Sequence, residues 1–275
     1  MATPLRRIAL MTQWTGYDSG AERMALALAQ QGRLPLTVVV PLISNPEFEV
    51  VAQALVADAE AATARAAADF DARVRAAGVT AELCVRRGDE LWREVVDATR
   101  DAQADLIVTR RRGHRGFLGK LKVGEMVREI AAHAPCPLLM VPRAATLLAR
   151  RALIVLESEA GVDAAVKPAA ALAGMLGLAL DVVAISAASA EEGARWLQRA
   201  RAQAQAANVR LDGTVETGTL ADAVAARTSA QAVDLLVLGM ELGPARHGRL
   251  GDAVERVVGG APCATLLVRP QAPLG

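Results

Sequence analysis

The sequence is poor in aromatic residues and in cysteine. Aromatic side chains make up 3% of the 275 residues, whereas hydrophobic residues as a whole make up 53%. The core must therefore be built from Ala, Val and Leu, a composition that suits buried parallel strands covered by Ala-rich helices. The cysteines, Cys84, Cys136 and Cys263, are too scattered for a disulfide framework and lack metal-ligand spacing. A reducing, cytoplasmic location is expected.

A long apolar segment and an excess of one charge are also missing. The longest apolar run, residues 168–180, is stopped by Asp181, and the first residues lack the apolar stretch of a signal peptide. The formal net charge is +1, which argues against general nucleic-acid binding. We therefore expect a protein with neither membrane nor nucleic-acid partners.

The second half of the sequence repeats the first. Asp-Leu-Ile-Val at 105–108 is answered by Asp-Leu-Leu-Val at 234–237, and Ala-Pro-Cys at 134–136 recurs at 261–263. The length also predicts two domains of ordinary size. We expect one domain at residues 1–145 and a second at 150–275, packed together because the linker is short.

Strands and helices alternate within each copy. In the first copy, apolar runs predict strands over residues 7–13, 36–42 and 81–86. Ser19 is expected to cap the first helix, and Gly78 to end a long Ala-rich helix over residues 47–77. The alternation predicts an α/β fold of two tandem doubly wound, Rossmann-like parallel sheets. Ligands would bind at the carboxyl ends of the strands, where the winding reverses.

A basic, glycine-rich stretch follows the strand at 106–108 of the first copy. It is expected to form a loop that leads into a helix beginning near Gly124. Backbone N–H groups and the helix dipole would add to the cationic side chains, which is the usual physical basis of a phosphate site. The alternative is a solvated basic surface. The candidate binding residues in and after this loop are Arg110, Arg112, Gly113, Gly116, Gly124 and Glu125.

These residues resemble the nucleotide motif of the universal stress protein (UspA-like) family, in which ATP-binding members carry G-x-x-G, nine residues, then G-[ST]. Gly113 matches the second glycine and Gly124 the last. Arg110 replaces the first glycine, ten residues separate Gly113 from Gly124, and Glu125 replaces the Ser or Thr. An Asp that ends the first strand of the family and contacts the nucleoside corresponds to Gln13.

The resemblance implies a tandem stress-response or regulatory protein without evident catalysis, with ATP as a possible cofactor of the first copy. It also implies that the copies pair as an internal pseudo-dimer through their last strands, residues 138–141 and 265–268. A homodimer of whole chains is compatible with it as well.

The departures from the motif predict weak ATP binding or none. A carboxylate at Glu125 would repel a terminal phosphate by roughly 4 kcal/mol per unit charge at about 4 Å. The second copy repeats this acid at Asp252 and has fewer basic residues in its loop, so it is expected to be structural.

Three functional hypotheses remain at this point. The first is a non-catalytic stress protein. The second is an ATP-binding stress protein that hydrolyses slowly and uses the first copy alone. The third is an adenylate-forming enzyme with a phosphate loop at residues 13–19. The histidines lack carboxylate or thiol partners in the sequence, so neither a metal site nor a nucleophilic catalytic site is expected.

Overall fold

A computed structural model of the chain describes residues 5–43, 53–111, 113–115, 121–230, 232–239 and 251–269. The strands are β1 (Ile8–Met11), β2 (Leu36–Ile43), β3 (Ala81–Gly88), β4 (Leu106–Arg110), β5 (Gly113–Arg115), β6 (Leu121–Val123), β7 (Leu138–Val141), β8 (Arg151–Leu156), β9 (Ala179–Ile185), β10 (Leu211–Glu216), β11 (Leu235–Gly239) and β12 (Ala264–Val268). The helices are α1 (Ser19–Gly32), α2 (Gln53–Ala76), α3 (Leu91–Asp101), α4 (Glu125–His133), α5 (Glu159–Leu176), α6 (Ala190–Ala206), α7 (Leu220–Ala230) and α8 (Asp252–Gly260).

Ten of the strands form one sheet in the order β10–β9–β8–β11–β12–β7–β4–β1–β2–β3. Five strands come from each half of the chain, and within each half all the pairings are parallel. Helices alternate with the strands, which confirms the predicted doubly wound α/β fold in tandem.

Apolar side chains of successive strand residues enter two different cores. In β1, Ile8 and Leu10 belong to one hydrophobic cluster, and Ala9 and Met11 to the other. The first cluster lies under α1, α2, α5 and α6, and the second under α3, α4, α7 and α8. A strand buried on both faces needs no polar alternation, which explains the continuous apolar runs.

The last strands of the two halves pair with each other, as predicted. β12 is antiparallel to β7, with Thr265 opposite Met140 and Leu267 opposite Leu138. Both strands are buried along their whole length. The pairing removes two edges that would otherwise expose unpaired backbone groups.

The aspartate that starts each repeated Asp-Leu motif has a structural role. The Asp105 carboxylate accepts hydrogen bonds from the backbone N–H groups of Arg6 and Arg7 at 2.7 and 3.2 Å. Asp234 does the same for the two residues before β8, and also binds the guanidinium of Arg150. Burial alone would raise the pKa of Asp234, but these hydrogen bonds outweigh it and lower the pKa below its ordinary value.

Two arginines bind helix carboxyl ends in the opposite half of the chain. Arg111 of the first half donates to the carbonyls of Val258, at 2.9 Å, and Ala261, at the end of α8. Arg269 of the second half donates to the carbonyl of Ala132 near the end of α4. Burial lowers the pKa of both guanidinium groups. The two halves thus satisfy one another's last helical carbonyls, groups that have no partner within their own helices.

An ion pair joins α4 and α8 across the same interface. Arg128 Nη1 lies 3.8 Å from Glu255 Oε1, and both side chains are largely buried. Each residue stands four positions after the glycine that precedes its helix, so the two occupy equivalent places in the repeat. Two identical halves would place like charges opposite each other at this point.

Two local predictions were wrong. Ser19 is the first residue of α1 rather than its cap, and its hydroxyl donates to the Gly16 carbonyl at 3.2 Å. Asp18 holds the cap position, but its side chain is bound elsewhere. The basic stretch is not only a loop, because β5 and β6 form an antiparallel hairpin within it.

The long Ala-rich helix ends as predicted. Gly78 has a φ of +67°, a left-handed conformation that glycine adopts without the usual Cβ clash. Its N–H donates to the Arg75 carbonyl at 3.0 Å. The expected beginning of this helix, at 47–52, lies outside the described residues.

Candidate functional site

The winding of the first half reverses between β1 and β4. From β1 the chain proceeds to β2 and β3 on one side, while β4 and β7 lie on the other. This is the position where doubly wound sheets bind ligands, at the carboxyl ends of the strands. Gln13 follows β1 and Arg110 ends β4, so these two predicted site residues meet at the reversal point.

Arg110 is held there by a network of short hydrogen bonds. One guanidinium nitrogen donates to Gln13 Oε1 at 2.7 Å. The other donates to Thr15 Oγ1 at 2.7 Å and to both carboxylate oxygens of Asp18 at 3.1 and 3.2 Å. Arg110 is 8% exposed and Asp18 is fully buried. The charge of the arginine is therefore neutralised inside the protein.

Asp18 has two further donors. Both the backbone N–H and the hydroxyl of Thr15 donate to Asp18 Oδ2, at 2.8 and 2.6 Å. With Arg110, they supply the hydrogen bonds that a buried carboxylate requires. Arg110 was predicted to be a ligand for an anion, but its guanidinium is already bound to Asp18. A phosphate would have to displace the Asp18 carboxylate. The acceptor of Gln13 is likewise occupied by Arg110 and not open to a nucleoside.

The remaining loop candidates lie farther along the chain. Gly113 is part of β5 and pairs with Val123 of β6. Antiparallel pairing uses backbone N–H groups that an anion would otherwise need, and β6 lies beside α8 of the second half. Arg112 and Gly116 lie outside the described residues, so their phosphate role stays a prediction.

Gly124 and Glu125 form the amino end of α4. Gly124 is the extended cap residue, with φ −62° and ψ 146°, and no side chain caps the helix. Glu125 is exposed in the first turn. It places a negative charge where the helix dipole favours an anion, and its effect on ATP remains a prediction.

The second half is built differently at its own reversal point. Strand register places Gly239 at the position of Arg110. A Cβ at Gly239 would come 3.3 Å from the Cα of Gly161. Ser158 accepts a hydrogen bond from the Gly161 N–H at 3.2 Å and caps α5. The close approach leaves little space for a ligand at this point; residues 240–250 lie outside the described part of the chain.

Cys136 and Cys263 lack the properties of reactive thiols. Burial raises the pKa of Cys136 to about 12 and that of Cys263 to about 11. Both are therefore protonated near neutral pH, whereas the thiolate is the nucleophile.

Among the described residues, no group of three or more His, Cys, Asp or Glu side chains could hold a metal ion. Within the same ranges, no helix is both long and apolar enough to cross a membrane.

Asp18 and Thr15 are the site residues that sequence reasoning missed. Both lie in the stretch at 13–19, where the sequence suggested a nucleoside contact at Gln13, a helix cap at Ser19 and a phosphate loop. The sequence signal for this pair was Arg110, which stands at the first glycine position of the motif. An arginine that is buried there requires an acidic partner. The sequence distance of 92 residues between Asp18 and Arg110 concealed the pair.

Comparisons with known proteins agree with this architecture. Residues 17–142 match a model of the universal stress protein family. A universal stress protein from Archaeoglobus fulgidus DSM 4304 is similar over 96% of this chain and 98% of its own, with TM-score 0.77 and 15% identity. A functionally unknown protein from Pseudomonas aeruginosa PAO1 is similar over 97% of this chain and 93% of its own, with TM-score 0.66 and 19% identity. No curated protein was found to match in sequence.

Proposed function

We propose that the chain, which matches the universal stress protein family over residues 17–142, is a non-catalytic stress-response or regulatory protein of that family. It binds ATP weakly or not at all. We also propose a cytoplasmic location, for which its three free cysteines are suited. The near-neutral charge supports the absence of a nucleic-acid partner.

The observation that carries the proposal is the Arg110 network. An arginine in place of the first motif glycine fills the reversal point with its own side chain and is neutralised by the buried Asp18. Gln13 Oε1 accepts a hydrogen bond from Arg110 in the same network, so this oxygen is already engaged where a nucleoside would bind. Glu125 adds an exposed negative charge at the amino end of α4.

We propose that the two halves are separate domains, residues 1–145 and 150–275, that form an internal pseudo-dimer. The antiparallel pair of β7 and β12 supports this arrangement, since it is the point where the two parallel five-stranded units meet. The mutual capping of α4 and α8 by Arg269 and Arg111 also supports it.

Isothermal titration with Mg²⁺-ATP tests the proposal. We expect the wild type to bind more weakly than about 100 μM, because repulsion by Glu125 of several kcal/mol exceeds the roughly 0.3–1 kcal/mol it adds to the helix dipole. Glu125→Ser should tighten binding by about tenfold or more. Arg110→Gly combined with Asp18→Asn restores the motif glycine without leaving a buried charge, and should tighten it further.

Asp252→Ser is the matched control, because it removes the equivalent acid from the second half and should leave ATP affinity unchanged. Micromolar binding by the wild type with no gain in Glu125→Ser would overturn the proposal. That result would favour the alternative, an ATP-binding protein that uses the first domain. Release of phosphate from Mg²⁺-ATP by the wild type would further indicate slow hydrolysis.

A further inference from the structure

Strand β3 ends the ten-stranded sheet on the side of the first half. Within the described residues its one neighbouring strand is β2, to which it is parallel along all eight of its residues. The Leu36 N–H donates to the carbonyl of Thr80, just before β3, at 2.9 Å. Because backbone groups alternate in direction along a strand, the even-numbered residues of β3 face β2. The backbone N–H and carbonyl groups that point away from the sheet are those of Ala81, Leu83, Val85 and Arg87.

The side chains of β3 alternate between the two faces of the sheet. Leu83 and Val85 lie on the α2 face and are 50% and 45% exposed. Glu82 and Arg86 lie on the other face, where Arg86 forms an ion pair with α3. The Glu82 side chain is 73% exposed, and its carboxylate is 3.7 Å from Arg7. An end strand with exposed apolar side chains is a template for pairing with another strand.

The order of these side chains is self-complementary. A two-fold axis through Cys84, normal to the sheet, would place Leu83 opposite Val85 of a second copy, and Glu82 opposite Arg86. Residues opposite each other in an antiparallel pair share a face and contact each other. The outward backbone groups of Leu83 and Val85 would exchange hydrogen bonds. Symmetry repeats each of these pairs, so the interface would contain two apolar pairs and two ion pairs.

The strand at the opposite end of the sheet has a different pattern. Strand register equates Gly213 of β10 with Leu83 of β3. The same two-fold pairing of β10 would place Asp212 opposite Glu216 of a second copy, and like charges directly opposite each other are destabilising. The Gly213 carbonyl already accepts a hydrogen bond from the guanidinium of Arg201 at 3.2 Å. Self-complementarity is therefore specific to β3 and does not follow from the fold.

From these observations we propose that two copies of the chain associate through β3, as an antiparallel pair of strands centred on Cys84. A two-fold interface requires one surface to carry both members of every contact, and β3 meets this requirement. The pairing satisfies the outward backbone groups and covers Leu83 and Val85. It is independent of nucleotide binding, because β2 separates β3 from the reversal point at β1 and β4.

Sedimentation velocity of the full-length protein would measure this association. We expect a species of twice the 28.7 kDa chain mass, with a dissociation constant below about 100 μM. Leu83→Lys should weaken dimerisation by about tenfold or more, because a lysine on an end strand opposes edge pairing. Leu147→Lys is the matched control. Leu147 is 44% exposed and lies between the two halves, so the same change there should leave dimerisation unchanged.

An exchange of charges would test the register of the pair. Glu82→Arg places like charges opposite each other at Arg86 of the second copy and should weaken dimerisation by about tenfold or more. The added Arg86→Glu restores opposite charges and should recover most of the wild-type affinity. Circular dichroism would confirm that each variant is folded.

The proposal is overturned if the wild type sediments as a monomer at about 100 μM. It is also overturned if Leu83→Lys and Leu147→Lys dimerise equally, since another surface would then form the dimer. A double variant that dimerises no more tightly than Glu82→Arg would exclude the register centred on Cys84.

Discussion

Replacement of Arg110 by methionine would test the buried network directly. The substitution keeps most of the apolar stem but removes the guanidinium, so Asp18 Oδ1 loses the Arg110 donor at 3.2 Å. Asp18 is fully buried and cannot recover the interaction from solvent. Thr15 still donates twice to the other oxygen. This residual bonding places the expected loss of unfolding free energy near 3 kcal/mol, at the lower end of the roughly 3–5 kcal/mol found for broken buried pairs.

Urea denaturation followed by circular dichroism would measure the loss. Arg87→Met is the matched control, because its ion pair with Glu60 is about half exposed on both sides and should contribute roughly 0–1 kcal/mol. The double variant Arg110→Met, Asp18→Asn removes both charges and should recover most of the stability. Arg110→Met could lower the free energy of unfolding no more than Arg87→Met, or the double variant could be no more stable than Arg110→Met. Either result would show that the buried charge pair does not have the energetic role described above.

Three further predictions concern the interface, the thiols and the repeated aspartate. Arg128→Glu places like charges opposite each other at Glu255 and should lower the unfolding free energy by roughly 1 kcal/mol, which the added Glu255→Arg restores. Cys136 and Cys263 should resist thiol reagents near pH 8 in the native protein, since their pKa values are raised to about 12 and about 11. Asp234→Asn should cost about 1–3 kcal/mol at neutral pH, because the folded-state pKa of this buried carboxyl is lowered. The stabilisation by the ionised Asp234 carboxylate is present above the unfolded-state pKa of about 3.9 and is lost as the pH falls through the folded-state pKa. The difference in unfolding free energy between wild type and Asp234→Asn should therefore narrow below about pH 4.

Urea denaturation checks the first and third of these, and titration with a chromogenic disulfide checks the second. A double reversal that remains as unstable as Arg128→Glu would contradict the charge complementarity. Modification of more than one thiol per native chain would refute the assigned inertness of Cys136 and Cys263. A deficit in Asp234→Asn that stays constant between about pH 7 and pH 3 would show that its cause is packing and not ionisation.

Much of the architecture was predictable because local patterns are repeated along the chain. The apolar runs of β1 and β2 indicate strands buried on both faces, and the matching segments at 105 and 234 indicate two copies. The pairing of β7 with β12 followed from the family resemblance, and the structure contains it. The predicted cap of α1 was wrong because Ser19 and Asp18 are adjacent and both residue types favour the cap position. The tertiary contacts of Asp18 placed that residue at the cap, and Ser19 became the first residue of the helix.

The sequence by itself determined the fold, since the period and order of apolar segments fix which faces must be buried, and that information is local. It also named Gln13 and Arg110 as candidates for one nucleotide site, Gln13 through the family resemblance and Arg110 through the basic loop, and the structure brings the two side chains into hydrogen-bonding contact. Only the tertiary structure decided what those residues do. Asp18 neutralises Arg110 through contacts between segments that lie far apart in the chain. Such contacts depend on the distances and burial of particular side chains, which the linear order of residues does not specify.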